Sequence, residues 1–284
     1  MLDVAVQARS KGGGGNFSFV AAWAVESPVV ESVAGMTSRE MTQYLPLADD
    51  ACWPADARRS ISDVLHVITF GVIGWPWLVR SLSGGTREAK RKLLERLDLA
   101  PDALPHLGSW KADTGFLHRI VDHIEAARPQ TVVELGAGAS SLVVARALQR
   151  NGGGRLVSCD QHAGFVEATR EWLRDNGVDA ELRATPFKPS PNGWPGVWYD
   201  HGPLPAQIDL LLVDGPPWAI HPYVRGAADS LFDRIPIGGT VMLDDAARPG
   251  ERIVAGRWRK RWPDFRFELV HAGTKGTLIG TRLR

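Results

Sequence analysis

The sequence predicts an α/β fold, a doubly wound and largely parallel sheet with helices on both faces, preceded by a mostly helical N-terminal extension. Three observations carry that expectation. From Thr131 onward, short aliphatic runs alternate with stretches of helical periodicity. The first run, Thr131-Val132-Val133-Glu134-Leu135, passes into Gly136-Ala137-Gly138-Ala139-Ser140-Ser141, a glycine turn that opens a helix. The chain closes on two strand-like segments, Phe265 to His271 and Thr277 to Leu283, joined by a short glycine-containing turn as a hairpin.

Size and composition bound the answer. A chain of 284 residues has room for one large domain or a domain with an extension. Hydrophobic residues at 44% and charged residues at 23% fit an ordinary soluble globular protein. The net charge of +1 gives no broad basic field, so nucleic acid is not an expected partner. Cys52 and Cys159 are the only cysteines, which implies neither a disulfide framework nor a cysteine zinc site. The first residues lack the basic region, apolar run and cleavage site of a signal peptide, so a cytoplasmic setting is expected.

Residues 1–58 carry little periodic signal and read as a poorly ordered or partner-packed arm, with a flexible link at Gly12 to Gly15 and a short helix within Met36 to Leu47. Residues 59–109 read as a helical extension. Its segment 61–80 is the most apolar run, but His66, two glycines and Pro76 interrupt it. A buried or subunit-interface helix is therefore expected ahead of a membrane span. Peripheral membrane contact through Trp75 and Trp77 is the second reading, so self-association into a homo-oligomer and lipid contact are both open. Thr86 to Leu97 reads as a charged helix, with Glu88 and Lys92 four apart and Leu93, Leu94 and Leu97 opposite. Pro101, Pro105 and Gly108 mark a connector and the boundary of a domain over 110–284.

Within that domain, Asp113 or Thr114 opens a helix with its apolar face at Phe116, Leu117, Ile120, Val121 and Ile124, ended by Pro129. His118 and His123 fall off that stripe and read as surface residues. Strands follow at 131–135, 155–160, 180–184, 208–213 and 240–243, separated by helical patterns at 142–148, 165–173 and 224–231. Residues 186–205, rich in Pro, Gly and Trp, read as a long functional loop whose Trp194, Trp198 and Tyr199 either wall an acceptor pocket or pack in the core. Val254, Trp258 and Trp262 mark a last helix, which leaves Arg257, Arg259, Lys260 and Arg261 on a solvated face.

In open parallel sheets, ligands bind beyond the carboxyl ends of the strands. Three strand ends here carry acid: Asp160, Asp214, and the pair Asp244-Asp245. Asp160 suits a bidentate hydrogen bond to a ribose diol. Glu134-Leu135-Gly136-Ala137-Gly138, with Asp160, Asp214 and the closing hairpin, resembles the class I S-adenosylmethionine-dependent methyltransferases over roughly residues 110–284. The resemblance implies a Rossmann-like seven-stranded sheet of order 3-2-1-4-5-7-6 with the last strand antiparallel. It implies S-adenosylmethionine as cofactor, with Glu134, Gly136 and Gly138 lining its methionine end and Asp160 holding its ribose. Ser140, at the helix N-terminus, and Asp214 are further candidate cofactor contacts. The end of the third strand, Ala184-Thr185-Pro186, departs from the family in lacking the acidic or amide residue often set on adenine.

The nearer resemblance is to the catechol O-methyltransferase-like branch. It implies a divalent cation, Mg²⁺ a candidate, held by Asp214, Asp244 and Asp245. Three converging carboxylates need a cation or protons to compensate them. The branch's lysine base would fall near Pro217 and is absent; His221 is the nearest replacement, with Asp214 the second candidate catalytic residue. The expected function is methylation of a small-molecule hydroxyl, with a divalent cation as candidate assistant. Two alternatives stay open. One is an NAD(P)-dependent oxidoreductase, because Gly136-x-Gly138 with Asp160 partly fits that fingerprint although Ser141 stands at its third glycine. The other is a catalytically silent cofactor-binding module.

Overall fold

The protein is described here from a computed structural model, which covers residues 60–271 and 273–284. The expected arm at 1–58, with its short helix and Cys52, lies outside the described residues.

Strand β1 (Thr131–Leu135) sits at the centre of the sheet because its side chains are apolar on both faces. Val132 enters one core and Val133 and Leu135 the other, the two-residue alternation of a strand covered on both sides. The remaining strands are β2 (Arg155–Asp160), β3 (Glu181–Ala184), β4 (Phe187–Pro189), β5 (Val197–Tyr199), β6 (Leu210–Val213), β7 (Thr240–Leu243), β8 (Phe265–Val270) and β9 (Thr277–Arg282). Seven of them form one sheet in the order β3-β2-β1-β6-β7-β9-β8. All pairs from β3 to β7 are parallel, and β9 runs antiparallel to both β7 and β8. Without the separate hairpin β4-β5, this is the expected order 3-2-1-4-5-7-6. That hairpin lies in the stretch 186–205, which the sequence presented as a plain loop.

The helices are α1 (Ile61–Ser81), α2 (Arg87–Leu97), α3 (Thr114–Ala127), α4 (Ala139–Arg150), α5 (Ala163–Asp175) and α6 (Pro249–Arg261). Residues Val224–Arg234 form 3₁₀ turns rather than the expected α-helix, and Gly226 lies flat against the Trp194 ring. Helices α2 to α5 cover one face of the sheet. Leu93, Leu97, Leu104 and Leu107 share a single core there with Phe116, Leu117 and Leu142. His118 is half-buried, its Nε2 lying 2.9 Å from the Ala89 carbonyl, so it joins α3 to α2 rather than facing solvent. The 3₁₀ segment, the β4-β5 hairpin and α6 cover the opposite face around Trp198, Phe232 and Trp258.

Helix α1 is not the buried helix the sequence allowed, which leaves its subunit-interface and membrane-contact readings. Among its residues only Gly74 and Ser81 are buried. Phe70 packs edge-on against Tyr223 at 5.2 Å, while Ile61, Leu65, Ile68, Val72, Trp75 and Val79 turn outward, each more than half exposed. By length and composition alone it is the one helix among the described residues that could cross a membrane.

Asp113 joins the far ends of the domain. Its Oδ1 accepts from the Phe116 amide at 2.8 Å as the cap of α3. Its Oδ2 accepts from the Thr274 hydroxyl at 2.9 Å and the Lys275 amide at 3.1 Å, which fixes the turn between β8 and β9. Asp113→Ala leaves these donors unmatched in a buried place. It is expected to lower unfolding free energy by about 2–4 kcal/mol in urea titrations.

Candidate active site

A cavity of about 400 Å³ lies at the carboxyl ends of β1, β2, β6 and β7. Its walls are the glycine loop 136–140, Asp160 after β2, Asp214 and Gly215 after β6, and Asp245 after β7. The connector residues Trp110 and Ala112 and the end of α1, Leu78 to Leu82, close it from above the sheet.

The glycine loop is fixed by backbone contact. Leu135 O accepts from the Asp214 and Gly215 amides at 2.9 and 2.7 Å, and the Gly136 amide donates to Cys159 O at 2.8 Å. Gly136 has φ +103°, and a Cβ there would stand 2.7 Å from Gly215 N. No side chain fits, so glycine is required on both conformational and steric grounds. Ser140 lines the cavity at the start of α4, where unpaired amides favour polar or anionic ligand atoms.

Glu134 does not reach the cavity wall. It is fully buried behind the loop, where the hydroxyls of Ser141 and Ser158 both donate to Oε2, the latter at 2.6 Å. Burial pushes its carboxyl up to about 7 despite those hydroxyls. Ser141 Oγ also accepts from the Gly138 amide at 3.0 Å, so Glu134 holds the loop in shape from behind. Asp160 does face the cavity. Its Oδ1 accepts from the His162 amide at 3.0 Å, and burial pushes the carboxyl up to about 7.

Asp214, Asp244 and Asp245 converge, with one oxygen of each within 4.8 Å of the others. Three basic side chains converge with them. Arg225 Nη1 donates to Asp245 Oδ2 at 2.9 Å, and Arg248 Nη2 stands 2.9 Å from Asp245 Oδ1. The Lys275 ammonium lies 3.3 Å from Asp245 Oδ1 and 3.5 Å from Asp244 Oδ2. Burial alone would raise Asp245, but Arg248, Lys275 and Arg225 hold it well below the usual carboxylate range. Burial pushes Asp244 well up, with Lys275 opposing. Asp214 Oδ1 is buried, accepts no hydrogen bond, and has Arg225 Nη2 at 3.5 Å; burial raises this carboxyl too.

His221 is not brought to the cavity. It is buried between α1 and the 3₁₀ segment, its Nδ1 accepts from the Tyr223 amide at 3.1 Å, and its ring packs 5.2 Å from His66. Burial, opposed in part by Asp63, lowers it to about 4, so near neutrality it is an uncharged packing residue. Of Trp194, Trp198 and Tyr199, only Tyr199 lines the cavity. Trp194 Nε1 donates to Asp229 at 3.1 Å, and Trp198 is wholly buried. Sequence reading missed Trp110, Arg225, Arg248 and Lys275. Arginine and lysine on connectors carry no periodic signal, and only the fold brings them to the acidic strand ends.

A family model described as methyltransferase domain matches residues 133–246, the stretch holding the glycine loop and all three acidic strand ends. No curated protein matches the chain significantly. Solved structures with similar folds include a methyltransferase from Geobacter sulfurreducens, 21% identical over 69% of this chain and 87% of its own, with a TM-score of 0.46. The O-methyltransferase TomG from Streptomyces achromogenes, involved in tomaymycin synthesis and solved with S-adenosylmethionine, is 16% identical over 70% and 89% of the two chains, with a TM-score of 0.45. An O-methyltransferase from Bacillus cereus is 12% identical over 76% and 99%, with a TM-score of 0.46. Over residues 133–246 the chain is thus similar to a methyltransferase domain, and its sheet has the strand order that the class I, S-adenosylmethionine-dependent methyltransferase resemblance implies. The oxidoreductase alternative is set aside on the same ground.

Gly136→Ala drives a methyl group into the Gly215 backbone. It is expected to lower the melting temperature by several degrees, consistent with a cost of about 2 kcal/mol or more, as read by calorimetry.

Proposed function

We propose that this domain transfers the methyl group of S-adenosylmethionine to a hydroxyl of a small molecule. The observation that carries the reading is Asp214, a half-buried, cavity-lining carboxylate whose Oδ1 accepts no hydrogen bond. Such an oxygen suits removal of an acceptor proton. The bound donor supplies an electrophilic sulfonium methyl group, so the chain has to align, desolvate and deprotonate the acceptor. Gly136, Gly138 and Ser140 form the cradle for the donor's methionine end, and Asp160 is the ribose acceptor. Glu134 supports that cradle instead of contacting the donor. Trp110 stands 5.8 Å edge-on from Phe165 beside Asp160 and offers an aromatic wall where the third strand lacks an adenine-binding acid or amide. Asp214→Asn is expected to lower kcat by about 10²–10⁴-fold while leaving donor affinity within a few-fold. Donor binding without turnover over a broad panel of phenols, sugars and other hydroxyl acceptors would instead favour the silent-module reading.

Asp160 sets a pH dependence. With its carboxyl at about 7 in the ligand-free protein, the ionised form that accepts two ribose hydroxyls gains population as pH rises through that value. Calorimetric titration with S-adenosylmethionine is expected to show affinity rising from about pH 6 to about pH 8. In Asp160→Asn, affinity is weaker and this rise is lost.

The outward face of α1 supports self-association. Ile61, Leu65, Ile68, Val72, Trp75, Val79 and Leu82 follow one another at steps of four and three, and each is more than half exposed. A seam in that register fits a second helix, here one from another copy of this chain. Light scattering is expected to give twice the chain mass for the wild type and the single chain mass for Val72→Asp. A monomer that floats with anionic lipid vesicles would contradict this reading in favour of a membrane surface.

A further inference from the structure

The family resemblance calls for a divalent cation among Asp214, Asp244 and Asp245, but the donor set here does not fit one. Asp245 Oδ2 accepts from Arg225, and its Oδ1, which accepts no hydrogen bond, has two cations against it, Arg248 at 2.9 Å and Lys275 at 3.3 Å. The Lys275 ammonium, 3% exposed as a residue, stands 3.3 and 3.5 Å from oxygens of adjacent aspartates, the crook a bridging ion would fill. The three carboxylates thus already have three basic groups against them, two of which, Arg225 and Arg248, also face the buried Glu251. A divalent ion would have to displace or repel at least one buried cation.

The fold delivers Lys275 to this place by backbone contacts on both sides. The turn between β8 and β9 is held from one side by Asp113, which accepts from the Lys275 amide. On the other side, the Ala246 and Ala247 amides donate to the carbonyls of Gly276 and Lys275 at 3.0 and 3.1 Å. The turn is thereby laced to the loop that carries Asp244 and Asp245. Asp245 itself has φ +58°, an uncommon conformation for a non-glycine residue that brings its carboxylate round toward the cavity.

We propose that the Lys275 ammonium occupies the place of the divalent cation. It acts as a built-in counterion that positions Asp244 and Asp245, so the domain works without binding a metal ion there. Lys275 does not line the cavity; it is a positioning residue that acts through Asp245. The assignment deepens the methyl-transfer reading, on which only its consequence for turnover rests. Removing the ammonium while keeping the carboxylates should turn the cluster into the oxygen-rich site that hard cations take.

The test is Mn²⁺ binding followed by electron paramagnetic resonance, which needs no turnover. The wild-type protein is expected to leave the signal of the free ion unchanged, and Lys275→Met to remove one equivalent of it. Lys275→Arg, which keeps the charge, should behave like the wild type, and adding Asp244→Asn to Lys275→Met should release the ion. Wild-type protein that takes up one equivalent of Mn²⁺ and loses it in Asp245→Asn would overturn the proposal, whether or not the Lys275 variants fold. A folded Lys275→Met that binds no Mn²⁺ would overturn it as well. Loss of S-adenosylmethionine binding in a separate titration would count against the methyltransferase reading and leave the metal result standing.

Discussion

The site depends on a backbone-to-backbone contact between the loops that leave β1 and β6. Leu135 O accepts from two successive amides, Asp214 and Gly215, and Gly136 lies so close to Gly215 that no side chain fits between them. That closeness follows from pairing β1 directly with β6, the step where the strand order reverses direction. A crevice at such a step is where open α/β sheets place ligands, and the close approach brings the glycine cradle beside Asp214. Glu134 underpins the same loop through Ser141 and Ser158, so a carboxylate at the end of β1 shapes the pocket without entering it.

Charge compensation is the second constraint. Burying Asp244 and Asp245 beside the half-buried Asp214 would be prohibitive without partners. Arg225 comes from the 3₁₀ segment, Arg248 from the cap of α6 and Lys275 from the terminal hairpin. These three elements lie far apart in the chain, so the acidic strand ends also serve to lock the second half of the fold together. Among the cavity-lining groups, Asp214 Oδ1, Asp245 Oδ1 and the Tyr199 hydroxyl are left without a hydrogen bond, and of the three Asp214 Oδ1 has only the more distant Arg225, at 3.5 Å, as an ionic partner against the two cations beside Asp245 Oδ1.

Much of this was legible in the sequence, and the exceptions have a common cause. The strands and the positions of Asp160, Asp214, Asp244 and Asp245 follow from local patterns, because strand ends and glycine turns are short-range features, whereas the order of the sheet rests on the family resemblance. Those same patterns could not tell a cavity-facing carboxylate from a supporting one, and so Glu134 read as a ligand contact. His221 read as a base from its nearness to Pro217 in sequence, whereas the chain turns it away to pack on His66 and Tyr223. Arg225, Arg248 and Lys275 gave no signal, since what matters is their meeting point across long separations. Helix α1 was legible as apolar but not as outward-facing, because periodicity gives a stripe and not the direction in which it points.

The central claim is that the crevice between the β1, β2 and β6 ends holds the methyl donor. Hydrogen–deuterium exchange with and without S-adenosylmethionine tests it most directly. Slowed exchange in 136–141 and 160–162, with little change in α2, is the result this structure predicts. Unchanged exchange across those two segments at saturating donor would contradict it.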